Sequence, residues 1–270
     1  MLCGRPHWGA RREKSMNIEK IKKHLSDYKI RELGITESGT WWKNHKKYSH
    51  ILPYECKFEN VIKSNRKNDL INLIDSESLH LGFHHLNSSQ ALALNLFGPL
   101  VLTNNLKIIE NLLLSEKSIG KFEYIENPKE NTNFDFFVGD GNLNNYFEVK
   151  YTEKNFGNAK EDLEHKQKFQ EIYKKELESF SDITEKEFYK KYQLWRNIIY
   201  AKKGNVFFIV PIFRKDLILE VETAKKRILD EKIKNRIFIL EIDSLVKKCI
   251  EIDELKNHYI EFEKKYLNIT

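Results

Sequence analysis

The segment Asn133–Glu153, with the sequence NFDFFVGDGNLNNYFEVKYTE, decides the fold. Its first part, FDFFV, is aromatic and β-branched, the middle part, GDGNLNN, is dense in turn-forming residues, and YFEVKYT returns to the composition of a strand. This succession predicts an antiparallel hairpin. We expect Val138 to lie opposite Tyr146 in its ladder.

Three charged side chains fall on this hairpin: Asp135 on the first strand, and Glu148 and Lys150 on the second. The expected register places Asp135 diagonally next to Glu148, and the two-residue period of a strand points Glu148 and Lys150 to one face. Carboxylate oxygens are ligands that Mg²⁺ prefers, and the ion keeps waters that can attack a phosphate. An ammonium group can orient such a water or offset phosphoryl charge. The hairpin therefore predicts magnesium-dependent phosphodiester cleavage.

Asp135, twelve further residues and then Glu148-Val149-Lys150 resemble the PD-(D/E)xK signature of restriction endonuclease-like nucleases, although the motif's proline is absent. The resemblance implies that Asp135, Glu148 and Lys150 are catalytic. It also implies that Asp135, Glu148 and Val149 bind Mg²⁺.

A plain structural explanation of the same residues stays open. In it, the hairpin carries an exposed Glu-Lys pair and an aspartate near a turn. The pattern Glu-x-Lys also begins at Glu164, Glu254 and Glu263, in charged stretches of helical character, so the tripeptide arises readily in a lysine-rich chain. Among these sites, only Glu148 has the composition of a strand around it.

The order of elements agrees with the nuclease resemblance. The candidate elements are a helix in Ser88–Leu114, a strand in Lys121–Asn127, the hairpin, helical pattern in Lys160–Lys203 and a buried strand in Asn205–Phe213. A helix and strand in Leu217–Ile242 would extend the sheet by a βαβ crossover. We therefore predict an α/β (α+β) fold: a restriction endonuclease-like core with a mixed sheet, in the order α-β-β-β-α-β, plus extra helices.

Three further segments, His50–Pro53, His84–Leu100 and Tyr192–Pro211, resemble a group of uncharacterised bacterial type II restriction endonucleases. The recurring positions of that group match Ser89, Gln90, Asn95, Gln193, Arg196 and Asn197. The resemblance implies double-stranded DNA as substrate, a homodimer with one site per strand, and a separate cognate DNA methyltransferase.

An apolar stripe predicts the buried face of the later helix. Its members are Phe188, Tyr192, Trp195 and Ile199. Gln193, Arg196 and Asn197 border this stripe. Gln193 is equally suited to a phosphate or water contact and to hydrogen bonding with a loop, whereas we expect Asn197 to satisfy backbone groups.

Further carboxylates are candidates for the metal shell. Glu153 either extends that shell or is a solvated charge at the end of the strand. A third acidic ligand often comes from the first helix or strand in such nucleases, which makes Glu110, Glu123 and Glu126 candidates. The sequence does not choose among them.

The charge balance divides the chain. Lys and Arg number 46 against 40 Asp and Glu, for a net charge of +6, and the excess falls within the first 50 residues. We predict a basic, mainly helical region over residues 1–87 and the nuclease core, with a C-terminal βα extension, over 88–270. Residues 1–15 differ in composition and precede Met16, so an artefact at the start of the sequence is an alternative.

Trp41 and Trp42, set among Lys43, Lys46 and Lys47, are the best candidates for a nucleic-acid contact outside the core. Aromatic faces stack on exposed bases, and lysines bind the backbone. The alternative is that the tryptophans anchor the amino-terminal region to the core.

Other classes of site have little support. Cys3, Cys56 and Cys249 are odd in number and widely spaced, which favours a reducing, cytoplasmic setting over disulfides or structural zinc. The resemblance implies that this cytoplasm is bacterial. No stretch has the roughly 20 apolar residues that span a bilayer. His80, His84 and His85 suggest a His-Asn-His nuclease, but a later partner histidine is missing at useful spacing, so we expect loop residues before a helix.

The prediction is thus a Mg²⁺-dependent, site-specific DNA endonuclease of the restriction type. One alternative keeps the chemistry and changes the substrate to branched or single-stranded DNA or to RNA, as in repair or defence. A second alternative is a non-catalytic nucleic-acid-binding protein on a nuclease-like fold.

Overall fold

A computed structural model describes residues 8–130 and 132–269. The strands are β1 Gly39–Trp41, β2 Lys46–Tyr48, β3 Ile119–Tyr124, β4 Phe134–Gly139, β5 Asn144–Val149, β6 Asn205–Val210 and β7 Ile237–Glu241. The α-helices are α1 Trp8–Leu33, α2 Lys67–Ile71, α3 Ser89–Leu102, α4 Leu163–Lys168, α5 Lys174–Glu178, α6 Glu185–Lys190, α7 Tyr192–Ile199, α8 Lys215–Lys225, α9 Glu231–Lys234, α10 Ile242–Ile250 and α11 Asp253–Tyr266. Within the described residues, no helix is both long and apolar enough to cross a membrane.

The central sheet has five strands in the order β3-β4-β5-β6-β7. The first three form an antiparallel meander, and β6 and β7 then add in parallel. Since α3 precedes the meander and α4 to α7 connect β5 to β6, the predicted order α-β-β-β-α-β is confirmed. The crossover through α8 and α9 to β7 is confirmed as well.

The register of the hairpin β4–β5 differs from the prediction by one residue. Val138 pairs with Asn145 and not with Tyr146. The carboxylate of Asp140 accepts two backbone N–H groups within the turn, at 2.8 and 2.9 Å, and so fixes its length.

Both faces of the sheet are buried. On one face, α3, α10 and α11 pack over stacked rings, with centroids 4.5 Å apart for Phe97 and Phe136 and 4.7 Å apart for Phe147 and Phe207. The other face packs against α6, α7 and α8. Ile21 of α1 joins the first core, so the amino-terminal helix shares its apolar surface with the sheet domain.

Several boundaries differ from the sequence expectation. The first core helix ends at Leu102, and the following loop passes through Asn104 in the left-handed region, with φ of +55°. The helical pattern of residues 160–203 divides into α4 to α7, because the capping box of Thr184 and Glu187 begins a new helix. Cys56 and Cys249 are free thiols, and Cys3 lies outside the described residues.

Candidate active site

Asp135, Glu148 and Lys150 meet at one edge of the β4–β5 hairpin. Continuing the observed register places Asp135 directly opposite Glu148, and the Nζ atom of Lys150 lies 2.6 Å from Oε1 of Glu148. Oδ2 of Asp135 accepts the backbone N–H of Val149 at 2.7 Å. Glu148 and Lys150 are only 4% and 5% exposed, so the alternative of an exposed Glu-Lys pair is wrong. Asp135 as a residue is half-buried.

Each charged group in this cluster shifts the pKa values of the others. Burial, together with the negative charges of Glu148 and Glu123, raises the pKa of Asp135. Burial also raises the pKa of Glu148, but the charges of Lys150 and Arg196 outweigh it and leave that pKa below its usual value. Burial likewise lowers the pKa of Lys150, and the surrounding carboxylates outweigh it, so the net shift is upward. Lys150 is therefore an ammonium ion, suited to stabilise negative charge and not to act as a base.

Helix α7 covers the cluster with polar side chains. Oε1 of Gln193 accepts a hydrogen bond from Nζ of Lys150 at 3.0 Å. Nδ2 of Asn197 donates to Oε2 of Glu148 at 2.7 Å. The expectation that Asn197 satisfies backbone groups is therefore wrong, because the border of the apolar stripe lies directly over β5.

Arg196 lies between two buried carboxylates. Its Nη2 atom is 3.8 Å from Oε2 of Glu148, and its Nε atom is 3.7 Å from Oε1 of Glu130. The Nε atom also donates to Oδ1 of Asn197 at 3.0 Å. Glu130 in turn accepts the hydroxyl of Tyr200. Sequence analysis missed Glu130, since it precedes the hairpin in a loop without strand or helix pattern.

A glycine lies where the start of α7 meets the loop that follows β5. Gly157 has φ of +71°, and an added Cβ atom would lie 2.9 Å from Oε1 of Gln193. The backbone N–H groups of Tyr192 and Gln193 bond to the carbonyls of Gly157 and Phe156, both at 3.1 Å. The loop after β5 therefore positions the partner of Lys150.

Glu123 is the third carboxylate near the cluster. Its side chain is almost fully buried, and Oε2 accepts a hydrogen bond from Nδ2 of Asn133 and lies 3.2 Å from Nε2 of His80. Oε1 of Glu123 is buried without a hydrogen-bond partner. The negative charge of Glu123 is among the causes of the raised pKa of Asp135.

The other two candidates for a third carboxylate pair elsewhere. Glu110 is exposed and forms an ion pair with Lys248. Glu126 accepts a hydrogen bond from Lys203 at 3.0 Å.

Gln90 and Glu153, the other two predicted supporting residues, have different partners. Gln90 uses its amide to order a loop, because Nε2 donates to the carbonyl of Ser78 at 2.8 Å and Oε1 accepts the N–H of His80 at 3.0 Å. Glu153 accepts the N–H of Tyr151 at 2.7 Å and is half-buried.

The tryptophan pair lies on the short hairpin β1–β2, which sequence analysis did not predict. Trp42 is 47% exposed, so the alternative that it anchors the core is wrong. Trp41 packs edge-on against Tyr48 and His85, with ring centroids 5.9 and 6.4 Å apart. The predicted basic partners on this hairpin are all exposed: Lys43, Lys46 and Lys47.

The histidines lie in the loop before α3, as expected. His84 bonds through Nε2 to the carbonyl of Thr40 at 3.3 Å. Over residues 18–130 and 132–269, no three His, Cys, Asp or Glu side chains converge closely enough to form a metal site by themselves. Any metal at Asp135 and Glu148 therefore needs backbone or water ligands.

Comparison with known families bears on this site. A family model described as "Restriction Endonuclease associating with ARP" matches residues 22–267. The chain belongs to this family. The matched range includes the hairpin β4–β5, helix α7 and the tryptophan pair. No curated protein and no solved structure matches the chain.

Proposed function

We propose that the protein is a Mg²⁺-dependent type II restriction endonuclease that hydrolyses phosphodiester bonds in double-stranded DNA. The observation that carries the proposal is the buried contact of Lys150 with Glu148, directly opposite Asp135, in a member of a restriction endonuclease family. A homodimer with one site per strand, and a separate methyltransferase that protects the host DNA, belong to the same proposal.

The donor atoms suit Mg²⁺. Proteins usually hold this ion through one or two carboxylates while it keeps several waters, and Asp135, Glu148 and the backbone carbonyl of Val149 would form that set. Burial, and then the negative charges of Glu148 and Glu123, raise the pKa of Asp135, and a divalent cation beside these carboxylates would offset that repulsion. When bound, Mg²⁺ supplies Lewis-acid polarisation of the phosphate and a lowered pKa for water.

The residues of the chain itself then have separate tasks. Lys150, as a buried ammonium group, donates to a phosphoryl oxygen and stabilises its developing charge. Gln193 holds that ammonium group in place through its Oε1 atom. Asn197 and Arg196 keep Glu148 ionised and oriented. Glu123 adds a third negative charge beside Asp135.

A gel assay tests the proposal. Purified protein is incubated with unmethylated phage DNA and plasmid, with Mg²⁺, with EDTA, and as the Lys150→Ala variant. We expect discrete bands that require both Mg²⁺ and Lys150. A smear would point to a nonspecific nuclease, and intact DNA in every lane would contradict the proposed activity on these substrates.

A further inference from the structure

A groove of about 470 Å³ lies between the hairpin β1–β2, the loop before α3 and the segment that follows β5. We call it the tryptophan groove, and the residues that matter for its chemistry are Trp41, Trp42, Lys43, His80, Asn87 and Glu153. It combines a flat aromatic wall, a cation and several polar groups. Such a combination suits a ligand with a planar ring and an adjoining phosphate.

The aromatic wall is held in place and open to solvent. The hairpin β1–β2 bonds to the segment that follows it, where the N–H of Gly39 donates to the carbonyl of Ile51 at 2.8 Å. Trp42 nevertheless leaves 47% of its surface exposed. Lys43 places its Nζ atom 5.9 and 5.4 Å from the ring centres of Trp41 and Trp42, within the range of a cation–π contact. A positive charge therefore lies over the rings of a tryptophan pair of which Trp42 is exposed.

Asn87 and His85, which also line the groove, contribute polar atoms. Asn87 donates through Nδ2 to Oγ1 of Thr152 at 2.7 Å, which fixes the amide, while its Oδ1 atom is buried without a hydrogen-bond partner. Nε2 of His85 is buried without a partner as well. Buried polar atoms are usually paired, and the edge of a nucleobase presents both donors and acceptors.

The groove adjoins the proposed catalytic cluster on two sides. His80 lies 3.2 Å from Glu123, whose charge acts on Asp135. Glu153 follows the catalytic strand, and its negative charge is one of the causes of the raised pKa of Lys150. His80 and Glu153 therefore connect the lining of the groove to the cluster of Asp135, Glu148 and Lys150.

We propose that the tryptophan groove binds an unpaired nucleobase next to the phosphate that is cut, with the base stacked on Trp42. This inference rests on the proposed nuclease function and narrows its substrate to nucleic acid that presents a base outside the helix. Such a base comes either from a duplex by flipping or from a single strand. Both sources offer the same π-face and polar edge.

Binding measurements test the proposal without cleavage. Fluorescence anisotropy in EDTA compares a labelled matched duplex, the same duplex with one unpaired adenine, and the corresponding single strand. Stacking on an aromatic side chain changes affinity by about five- to hundredfold, so we expect tighter binding of at least one unpaired probe by that margin. Trp42→Ala should remove the preference, and Trp42→Phe should keep most of it.

Tyr54 provides the matched control. It is 56% exposed and lines the neighbouring cavity on the other side of Trp42, not the tryptophan groove. Tyr54→Ala should bind all three probes as the wild type does. Preference for the bulged duplex identifies a flipped base, and preference for the single strand identifies a single-stranded substrate. Equal binding of all probes by the wild type, or an unchanged preference in Trp42→Ala, overturns the proposal.

Cleavage by the same proteins separates this inference from the proposed function. Suppose that, with Mg²⁺ present, cleavage requires Lys150 but Trp42→Ala binds the probes as the wild type does. The proposed nuclease function would then stand, and the proposed base site would be wrong. If the protein instead prefers an unpaired probe only when Trp42 is present, but cuts none of the probes, the base site would stand and the nuclease function would be wrong.

Discussion

Glu148-Val149-Lys150 and Glu164-His165-Lys166 have the same spacing, but the structure treats them in opposite ways. At the end of β5 the side chains of Glu148 and of Lys150, the residue after the strand, meet at 2.6 Å and are nearly buried. On α4 the side chain of Glu164 is 72% exposed and pairs instead with Lys168, four residues on, at 3.1 Å. Residues two apart adjoin on a strand and diverge on a helix. A Glu-x-Lys pattern therefore builds a site only where the backbone is extended.

The largest expected difference between the two regions is in catalysis. Lys150→Ala should lower the rate of DNA cleavage by about 10²–10³-fold or more, because removing a preorganised donor to a developing negative charge has effects of this size. Lys166→Ala should cut at the wild-type rate, since Lys166 is exposed on α4. Initial rates on one plasmid, with circular dichroism as a check of folding, give the comparison. Equal losses in the two variants would remove the distinction.

A smaller effect is expected for Asn197, which contacts the proposed metal ligand Glu148. Asn197→Ala removes the hydrogen bond to Glu148 and should lower the rate about 10–100-fold, as is typical of groups that orient a metal ligand. Gln167→Ala on α4 removes an exposed bond to Glu171 and serves as the control. The Mg²⁺ concentration that gives half of the maximal rate should rise in Asn197→Ala and stay unchanged in Gln167→Ala. An unshifted dependence would show that Asn197 does not act through Glu148.

Alanine substitutions at two glycines distinguish the effect of backbone strain on stability from the effect of a displaced Gln193 on cleavage. Gly157 and Gly34 have φ of +71° and +68°, but an added Cβ atom meets Gln193 at Gly157 and nothing within 4 Å at Gly34. Alanine at either position should destabilise the protein by about 1–2 kcal/mol. Only Gly157→Ala should also slow cleavage, by roughly tenfold or 1.4 kcal/mol of barrier. Thermal melts and initial rates on both variants measure the two effects, and equal rates would contradict a positioning role for Gly157.

The smallest effect concerns stability and pH. Because the pKa of Asp135 is raised in the folded state, the folded protein binds more protons than the unfolded chain between the usual and the raised pKa, so stability falls as pH rises through this range. In EDTA, Asp135→Asn should therefore raise the Tm at neutral pH by about 2–4 °C, as for ~1 kcal/mol in a chain of this size. The gain should vanish in acid.

Asp162 at the start of α4 gives the opposite sign. Hydrogen bonds from the backbone and side chain of His165 lower the pKa of its carboxyl, so this group stabilises the fold above its usual pKa and loses that effect in acid. Asp162→Asn should show no gain in Tm at neutral pH. A gain of equal size in both variants would contradict the assignment of the effect to the burial of Asp135 and its repulsion by Glu148 and Glu123.

Much of the fold was predictable because it follows from local pattern. The hairpin β4–β5, the buried strand β6 and the crossover to β7 all have strong composition signals, and the two-residue period of β5 brings Glu148 and Lys150 together. The one-residue error in register arose at the turn, whose length depends on Asp140. Strands of three residues, such as β1 and β2, are too short to show alternation.

The rest of the candidate site depends on contacts between distant parts of the chain. Arg196 meets Glu130 through the packing of α7 on the sheet, and no local pattern around Glu130 announces it. The sequence offers three equivalent candidates for a third carboxylate near the site, and Glu123 differs from the other two only through the direction in which its side chain leaves β3. The same holds for Asn197, whose partner is fixed by how α7 lies over β5.

Metal binding tests the central claim most directly. Electron paramagnetic resonance of Mn²⁺, used in place of Mg²⁺, measures binding to the wild type, to Asp135→Asn and to Asp162→Asn without any DNA. We predict one site in the wild type, an unchanged site in Asp162→Asn, and affinity at least about tenfold weaker in Asp135→Asn. Equal Mn²⁺ affinity in the wild type and Asp135→Asn would contradict the claim that the hairpin cluster is the metal centre.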